Sequence, residues 1–442
     1  MMAETNFGSN IGSLRTEIPG PQSKALAQRL GPVEAPGITY LANDFPVFWK
    51  KALGSNVEDA DGNVFVDLTA AFGVAMLGHS NPAVAGAIAS QARELPHGMG
   101  DVHPPAVKVE LLEALARLAP MPEPRTILCS SGAEAVEAAL KTALLYTGLP
   151  GVISFENSYH GLTLGALAVT GIDKFREPFA GLIPRFSCRA RFPHAADSVE
   201  ASIRELGEIV EEAQDGELAV GAVLLEPIQG RAGVILPPEG WLKAVADLAR
   251  QKGILLIVDE IFTGFGRTGS LFAVQHEGVT PDLLCVGKAL TGSLPFSACI
   301  GTAKVMKKWP KSEGEALHTS TFLGHPLGCA AALAAIREGE RLGVVQRAAE
   351  VGKRTLEKLR TWKAPLIKEV RGRGLMIGIE LSGGLRKSVA FEAARRALKR
   401  GVIVLPAGIN GNVLSITPPL TIEESQLDWA LGQLNAVISE MT

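Results

Sequence analysis

Between about residue 80 and residue 300, short apolar runs alternate with segments of helical period. The apolar runs are RTILCSS, GVISFE, LAVGAVLLEP, GILLIVDE and DLLCVGK, and helices are predicted at 131–147, 198–214 and 239–252. Runs apolar on both faces, separated by helices, predict a mainly parallel sheet covered on both sides. Before this region, residues 1–37 are rich in Gly, Pro and Ser and predict an arm ending in a short helix, SKALAQRL. The stretch SNVEDADGNVFVDLTA predicts a hairpin, with Asp61-Gly62 as its turn. After GCAAALAAIREGERLG the pattern changes to a long helix at 346–361, then VRGRGLMIGIELS, another helix, GVIVLP and a final helix at 422–440. That tail predicts a smaller α+β unit.

Composition narrows the function classes. At 442 residues the chain exceeds one ordinary domain. A formal charge of −3 without a basic or acidic block argues against nucleic acid or an anionic membrane as main partner. No apolar run approaches the roughly 18 residues of a membrane helix. The N-terminus MMAETNFGSNIGSLRTE lacks the layout of a signal peptide, so a cytoplasmic location is expected. Five cysteines, scattered and never in C-x-x-C spacing, predict reduced thiols and imply neither a disulfide framework nor a zinc site.

The stretch GILLIVDEIFTGFGRTG ends in a literal G-x-G-x-x-G, Gly264 to Gly269. A dinucleotide site needs those glycines at the strand end, opening a helix. Five residues, Asp259 to Thr263, intervene here, and Gly278 and Pro281 leave little room for a helix afterwards. The dinucleotide reading therefore fails on context.

Position favours the acid instead. Ligands of open α/β sheets bind beyond the carboxyl ends of the strands. Asp259 ends one apolar strand and Lys288 ends the next. Alone, an Asp caps turns and a Lys is usually solvated. Together they suit one chemistry: an amine that forms a Schiff base with an aldehyde cofactor, and a carboxylate that keeps a pyridine nitrogen protonated. The run ILCSSGAEAVEAALK supplies a helix N-terminus, at Ser131, Gly132 and Ala133, suited to a phosphate, although an ordinary capped helix has the same pattern. Tyr159, in FENSYHG, follows another strand and offers either a flat face for a ring or a core aromatic.

Together these stretches resemble the class III aminotransferases, pyridoxal-phosphate enzymes of fold type I. The likeness runs from about Gly20 to the C-terminus through DADGNVFVDLTAAFGVAMLGHSNPAV, SSGAEAVEAALK, SYHG, EPIQGRAGVILPP, DEIFTGFGRTG, PDLLCVGKAL, TFLGHPLGCAAALAA and VRGRGLMIGIEL. The resemblance implies an α/β fold with a mainly parallel seven-stranded sheet between helices, plus a smaller α+β domain. The expected parts are an N-terminal arm with part of the small domain at 1–70, a large pyridoxal-phosphate domain at 71–329 and a C-terminal small domain at 330–442.

It also implies pyridoxal 5'-phosphate as cofactor, with Lys288 as the Schiff-base lysine and proton-transfer base and Asp259 facing the pyridine nitrogen. Gly132 and Ala133, with Ser131 nearby, would cradle the phosphate, and Tyr159 would stack on the ring. Thr321, in STFLGHP, would reach the cofactor of a partner subunit, which implies a homodimer with shared active sites. The implied activity moves an amino group from an amine or ω-amino donor to an oxo acid (pyruvate or 2-oxoglutarate) by a ping-pong mechanism. The same lysine and aspartate also serve amino acid racemases and epimerases of this family. A cofactor-binding regulator would need a nucleic-acid-binding module for which the chain has no spare domain.

Three departures bear on substrate. Relatives acting on 4-aminobutyrate or ornithine usually carry an arginine before PPLTI, where this chain has Ser415. A basic residue often follows HG in the Tyr159 motif, where Leu162 stands, and the frequent Gln three residues after the aspartate is Phe262. Serine cannot replace a bidentate arginine–carboxylate contact. Glu226, which commonly pairs with that arginine, is therefore expected to meet another cation or a substrate ammonium. With Phe72, Leu162 and Phe262 apolar, an amine or ω-amino donor is expected over an α-amino acid.

Overall fold

The computed structural model describes residues 7–215, 218–383 and 388–441; the first six residues of the expected arm lie outside them. The chain divides into two units, residues 82–350 and residues up to 81 together with those from 351 onward. The expected junctions were at 70/71 and 329/330.

In the larger unit the apolar runs form a seven-stranded sheet. Its strands are β1 (Pro124–Cys129), β2 (Gly151–Phe155), β3 (Ser187–Ala190), β4 (Val220–Leu225), β5 (Leu255–Asp259), β6 (Leu283–Val286) and β7 (Ser297–Thr302), in spatial order β1-β7-β6-β5-β4-β2-β3. Only β7 runs antiparallel to its neighbours, β1 and β6. Every residue of β4 and β5 is buried, which explains why both read as solid apolar runs rather than as alternation. Helix α1 (Gly132–Thr147) begins at the end of β1, with Ser131 accepting the Glu134 N–H at 3.3 Å, and stops at Gly148, whose φ of +72° suits only a residue without a Cβ. Helices α2 (Val199–Asp215) and α3 (Trp241–Lys252) follow β3 and β4. Trp241, fully buried, packs its ring edge-on against Phe155 at 5.4 Å and Phe192 at 5.1 Å. Its indole N–H donates to Ser202 Oγ at 3.0 Å, so burial leaves no orphaned donor there.

The G-x-G-x-x-G stretch folds into successive turns, not a helix opening, and is followed by a single 3₁₀ segment at Ala273–Glu277. Its organiser is Glu260. That carboxylate, fully buried, accepts from Thr263 Oγ1 at 2.7 Å, the Ala273 N–H at 2.7 Å and the Val274 N–H at 2.9 Å. Glu260→Ala is expected to cost about 3 kcal/mol or more in denaturant unfolding, because three donors lose their acceptor in a site closed to water. Burial pushes Glu260 from 4.5 up to about 7, against the pull of its donors. The native state thus holds a proton that the unfolded chain has released. Its contribution is largest below 4.5 and is lost as pH rises to about 7, so Glu260→Gln should flatten that part of the stability–pH curve.

The smaller unit holds two four-stranded sheets. The first comprises Trp49–Leu53, Asn56–Asp59, Val64–Asp67 and Val402–Ile403; its central pair is the expected hairpin, turning at Gly62 with φ of +82°. Asp61, beside that glycine, accepts the Gln22 and Ser23 N–H groups at 2.7 and 2.9 Å and so starts the helix Pro21–Leu30. The second sheet pairs Ile367–Arg373, Met376–Leu381, Val413–Ile416 and Leu405–Ala407. Among the described residues, no helix is long and apolar enough to cross a membrane.

Candidate active site

The carboxyl ends of the parallel strands converge on one cavity of about 590 Å³, wholly within the larger unit. β1 delivers Gly132 and Ala133 at the start of α1, β2 delivers Tyr159 to Thr163, β4 delivers Glu226, β5 ends in Asp259, and the turn after β6 presents Lys288. Lys288 has a φ of +39°, uncommon for a residue with a Cβ, and such strain concentrates at functional sites. Its Nζ lies 4.7 Å from the centroid of the Phe262 ring and has no hydrogen bond or ion pair among the described residues.

Asp259 is nearly buried and held from two sides. Oδ1 accepts the Ile261 N–H at 3.0 Å, and Oδ2 lies 2.8 Å from His160 Nδ1. Since a carboxylate only accepts, Nδ1 carries the proton. That leaves His160 Nε2 buried without a partner among the described residues. The His160 backbone is itself fixed, its N–H donating to Thr170 Oγ1 at 3.0 Å.

Burial pulls the Lys288 ammonium below its ordinary value, and Arg231 acts in the same sense, while Asp259 and Glu226 oppose them. Burial pushes Glu226 up to about 7, with His160 opposing it and Asp259 reinforcing it. Burial also raises the Tyr159 hydroxyl.

Eight residues singled out in the sequence line this cavity: Gly132, Ala133, Tyr159, Leu162, Glu226, Asp259, Phe262 and Lys288. Ser131 does not; it is exposed, and its hydroxyl caps α1. Thr321 is exposed and is not part of the lining. Phe72 and Ser415 belong to the other unit. Phe72 is exposed in a left-handed turn, Ala70 to Gly73, all at positive φ, whose start Asp67 fixes by accepting the Thr69 N–H at 2.7 Å. Ser415 is buried in the strand Val413–Ile416, opposite Gly378 and Leu405.

Of the two partners expected for Glu226, a protein cation or a substrate ammonium, the first is corrected. Glu226 meets no cation among the described residues; it accepts the backbone N–H groups of Tyr159 at 2.9 Å and Gly230 at 3.2 Å. The turn after β4 folds back on the carboxylate, and two amide dipoles take the place of a counter-ion. Two ionisable lining residues, His160 and Arg231, went unremarked in the sequence. His160 stood next to Tyr159, and a histidine just beyond the carboxyl end of β2, a strand separated from that of Asp259 only by β4, was the available signal. Arg231, between glycine and alanine in IQGRAG, resembles an ordinary solvated loop residue.

A parallel sheet carrying an amine and a buried carboxylate at the ends of neighbouring strands defines an aldehyde-cofactor enzyme. The class-III aminotransferase family model matches residues 40–438. A 4-aminobutyrate aminotransferase from Mycobacterium tuberculosis is 37% identical over 97% of this chain and 98% of its own length. A leucine/methionine racemase from Thermococcus litoralis is 36% identical over 90% of this chain and 91% of its own. The crystal structure of an omega transaminase from Pseudomonas jessenii in complex with PMP superposes with a TM-score of 0.84 at 27% identity, covering 90% and 93% of the two chains. The chain belongs to the class III aminotransferases. It is an aminotransferase of fold type I that depends on pyridoxal phosphate.

The cavity fits that cofactor. The N–H groups of Gly132 and Ala133 meet no backbone acceptor among the described residues, and they open a 16-residue helix toward the lining. A Cβ at Gly132 would lie 2.9 Å from Ile261 Cδ1, so any larger residue there would displace the tip of a side chain that itself lines the cavity. The remaining needs of an aldehyde-bearing pyridine are an amine, a carboxylate and an aromatic face, and Lys288, Asp259 and Tyr159 line the same space.

Proposed function

We propose that this aminotransferase takes its amino group from an amine or ω-amino donor and passes it to an oxo acid, pyruvate or 2-oxoglutarate, in two half-reactions on one site. The observation that carries the reading is the meeting of Lys288, Asp259 and Tyr159 in a single cavity that also presents the apolar side chains of Leu162, Ile228, Ile261 and Phe262. Bound there, pyridoxal phosphate supplies an electron-accepting ring that stabilises negative charge on the donor's carbon.

In this reading the Gly132 and Ala133 N–H groups hold the phosphate and Tyr159 covers the ring. Asp259 keeps a negative charge against the pyridine nitrogen, and His160 holds that carboxylate in place through Nδ1. Lys288 Nζ takes a proton from the donor's carbon and returns one to the neighbouring position. Its lowered proton affinity suits an amine that must be neutral to act. The apolar lining and Ser415, standing where ω-amino acid transaminases carry an arginine, favour donors without a carboxylate.

We also propose a cytoplasmic homodimer in which Thr321 faces the partner's cofactor; a monomer in sedimentation would remove that part. The test of the donor class is an absorbance titration of the holoenzyme with 4-aminobutyrate, putrescine or 1-phenylethylamine alone. Conversion to the amine form of the cofactor by the two carboxylate-free amines, and not by 4-aminobutyrate, is expected. Conversion by 4-aminobutyrate alone would sink the donor assignment. The racemase from T. litoralis keeps a second reading open. An isomerase would leave the cofactor spectrum unchanged after donor alone while inverting an amino acid's configuration.

A further inference from the structure

Arg231 has no role in the chemistry above, yet it lines the cavity. Its side chain is not held by an acid: among the described residues it forms no ion pair, and Glu226, one of the acids in the lining, takes backbone amides instead. What holds Arg231 is aromatic. The guanidinium carbon lies 5.5 Å from the centroid of the Tyr159 ring and 5.9 Å from that of Phe175. Cation–π attraction from two rings favours the guanidinium at this place, while its N–H fork, unpaired among the described residues, stays open for a planar acceptor.

The backbone around it is equally determined. Gly230, just before it, donates to Glu226, and the Gly233 and Val234 N–H groups return to Gly230 O at 3.1 and 3.2 Å. Val234 is held at a φ of +56°, a strained value for a β-branched residue. The charge reaches the reacting amine as well, since Arg231 lowers the proton affinity of Lys288.

We propose that Arg231 is the carboxylate anchor of this cavity, receiving the carboxylate of the oxo-acid acceptor. Lys288 is committed to proton transfer and His160 to Asp259. Arg231 is then the permanently charged donor that remains in the lining, and its fork matches a carboxylate's two oxygens. This rests on the proposed transfer to an oxo acid. It explains how a pocket with an apolar donor side still discriminates for an acid in the second half-reaction: donor and acceptor occupy the site in turn, and only the acceptor uses the arginine.

The test compares wild-type holoenzyme with Arg231→Gln and Arg231→Lys, using 1-phenylethylamine as donor and either pyruvate or the carboxylate-free butanal as acceptor. Calorimetric titration with isovalerate, an unreactive carboxylate, gives a dissociation constant independent of turnover. Loss of a charge-assisted pair predicts that Arg231→Gln raises the ratio of the pyruvate to the butanal KM, and the isovalerate dissociation constant, by roughly 10- to 100-fold. Arg231→Lys should recover part of both. A ratio that stays constant because both KM values rise together would overturn the proposal and leave Arg231 as packing for Tyr159. If wild-type enzyme converts no amine, yet isovalerate binding weakens in Arg231→Gln, the anchor stands and the donor reading falls.

Discussion

Lys288→Ala abolishes amino-group transfer, with a fall of at least about 10⁴-fold in kcat as the expected result. No other amine lines the cavity to substitute for it among the described residues: Arg231 is always charged, and His160 Nδ1 already donates to Asp259. The same change removes the long-wavelength absorbance that a lysine-linked cofactor gives, without needing turnover to be measured. Folding should survive, since Lys288 Nζ has no hydrogen bond or ion pair to lose among the described residues. Alanine is itself strained at a φ of +39°, but no more than lysine. An unchanged circular dichroism spectrum is the control. Added methylamine should restore part of the activity, because the cavity emptied by the side chain remains beside Asp259. Turnover in Lys288→Ala near the wild-type rate would remove lysine from the mechanism.

Much of this site was legible because parallel strands announce themselves. β4 and β5 are buried on both faces, so each is an unbroken apolar run, and the first polar residue after it marks the carboxyl end. That rule placed Asp259 and Lys288 at neighbouring strand ends, and their pairing as acid and amine, not either position alone, pointed to the chemistry. The strands Ser187–Ala190 and Ser297–Thr302 were not, for opposite reasons. The first is a half-exposed edge strand with an arginine inside it. The second is buried but short of large apolar side chains, its sequence being Ser-Ala-Cys-Ile-Gly-Thr, and it turns antiparallel between β1 and β6. Small residues there permit close packing against α1 without leaving a periodic signal.

Ser131 shows the limit of pattern at a helix start. A serine before Gly-Ala-Glu reads equally as phosphate ligand or cap, and the hydroxyl is turned to the Glu134 N–H. Glu226 shows the limit of pairwise reasoning. Loss of an arginine partner suggested another cation or a substrate ammonium; within the described residues backbone amides from two separate loops hold the carboxylate, and no spacing along the chain encodes that meeting. Arg231 is hidden for a related reason. Its neighbours in the sequence are small and flexible, whereas the rings that hold it, Tyr159 and Phe175, are contributed from segments far away along the chain.

The second large effect is expected at Asp259. Asp259→Asn keeps the shape and the oxygen that accepts the Ile261 N–H, but it removes the charge that would keep the pyridine nitrogen protonated. It also disturbs His160. An amide N–H turned toward Nδ1 forces the proton onto Nε2, which is buried and has no acceptor among the described residues. In another enzyme, exchanging the carboxylate of a His–Asp pair for an amide leaves the geometry intact and lowers kcat by about 10⁴, through the wrong tautomer. A fall of about 10³-fold, equivalent to about 4 kcal/mol in the barrier, is expected here, with weaker cofactor retention on dialysis. His160→Ala should cost less, because the carboxylate remains and only its orientation is loosened. The double variant separates the two: if His160 acts through Asp259, removing it from Asp259→Asn adds little further loss, so the two effects fall short of additivity. Full additivity would mean that the 2.8 Å contact positions nothing, and that His160 contributes to the site by a separate route.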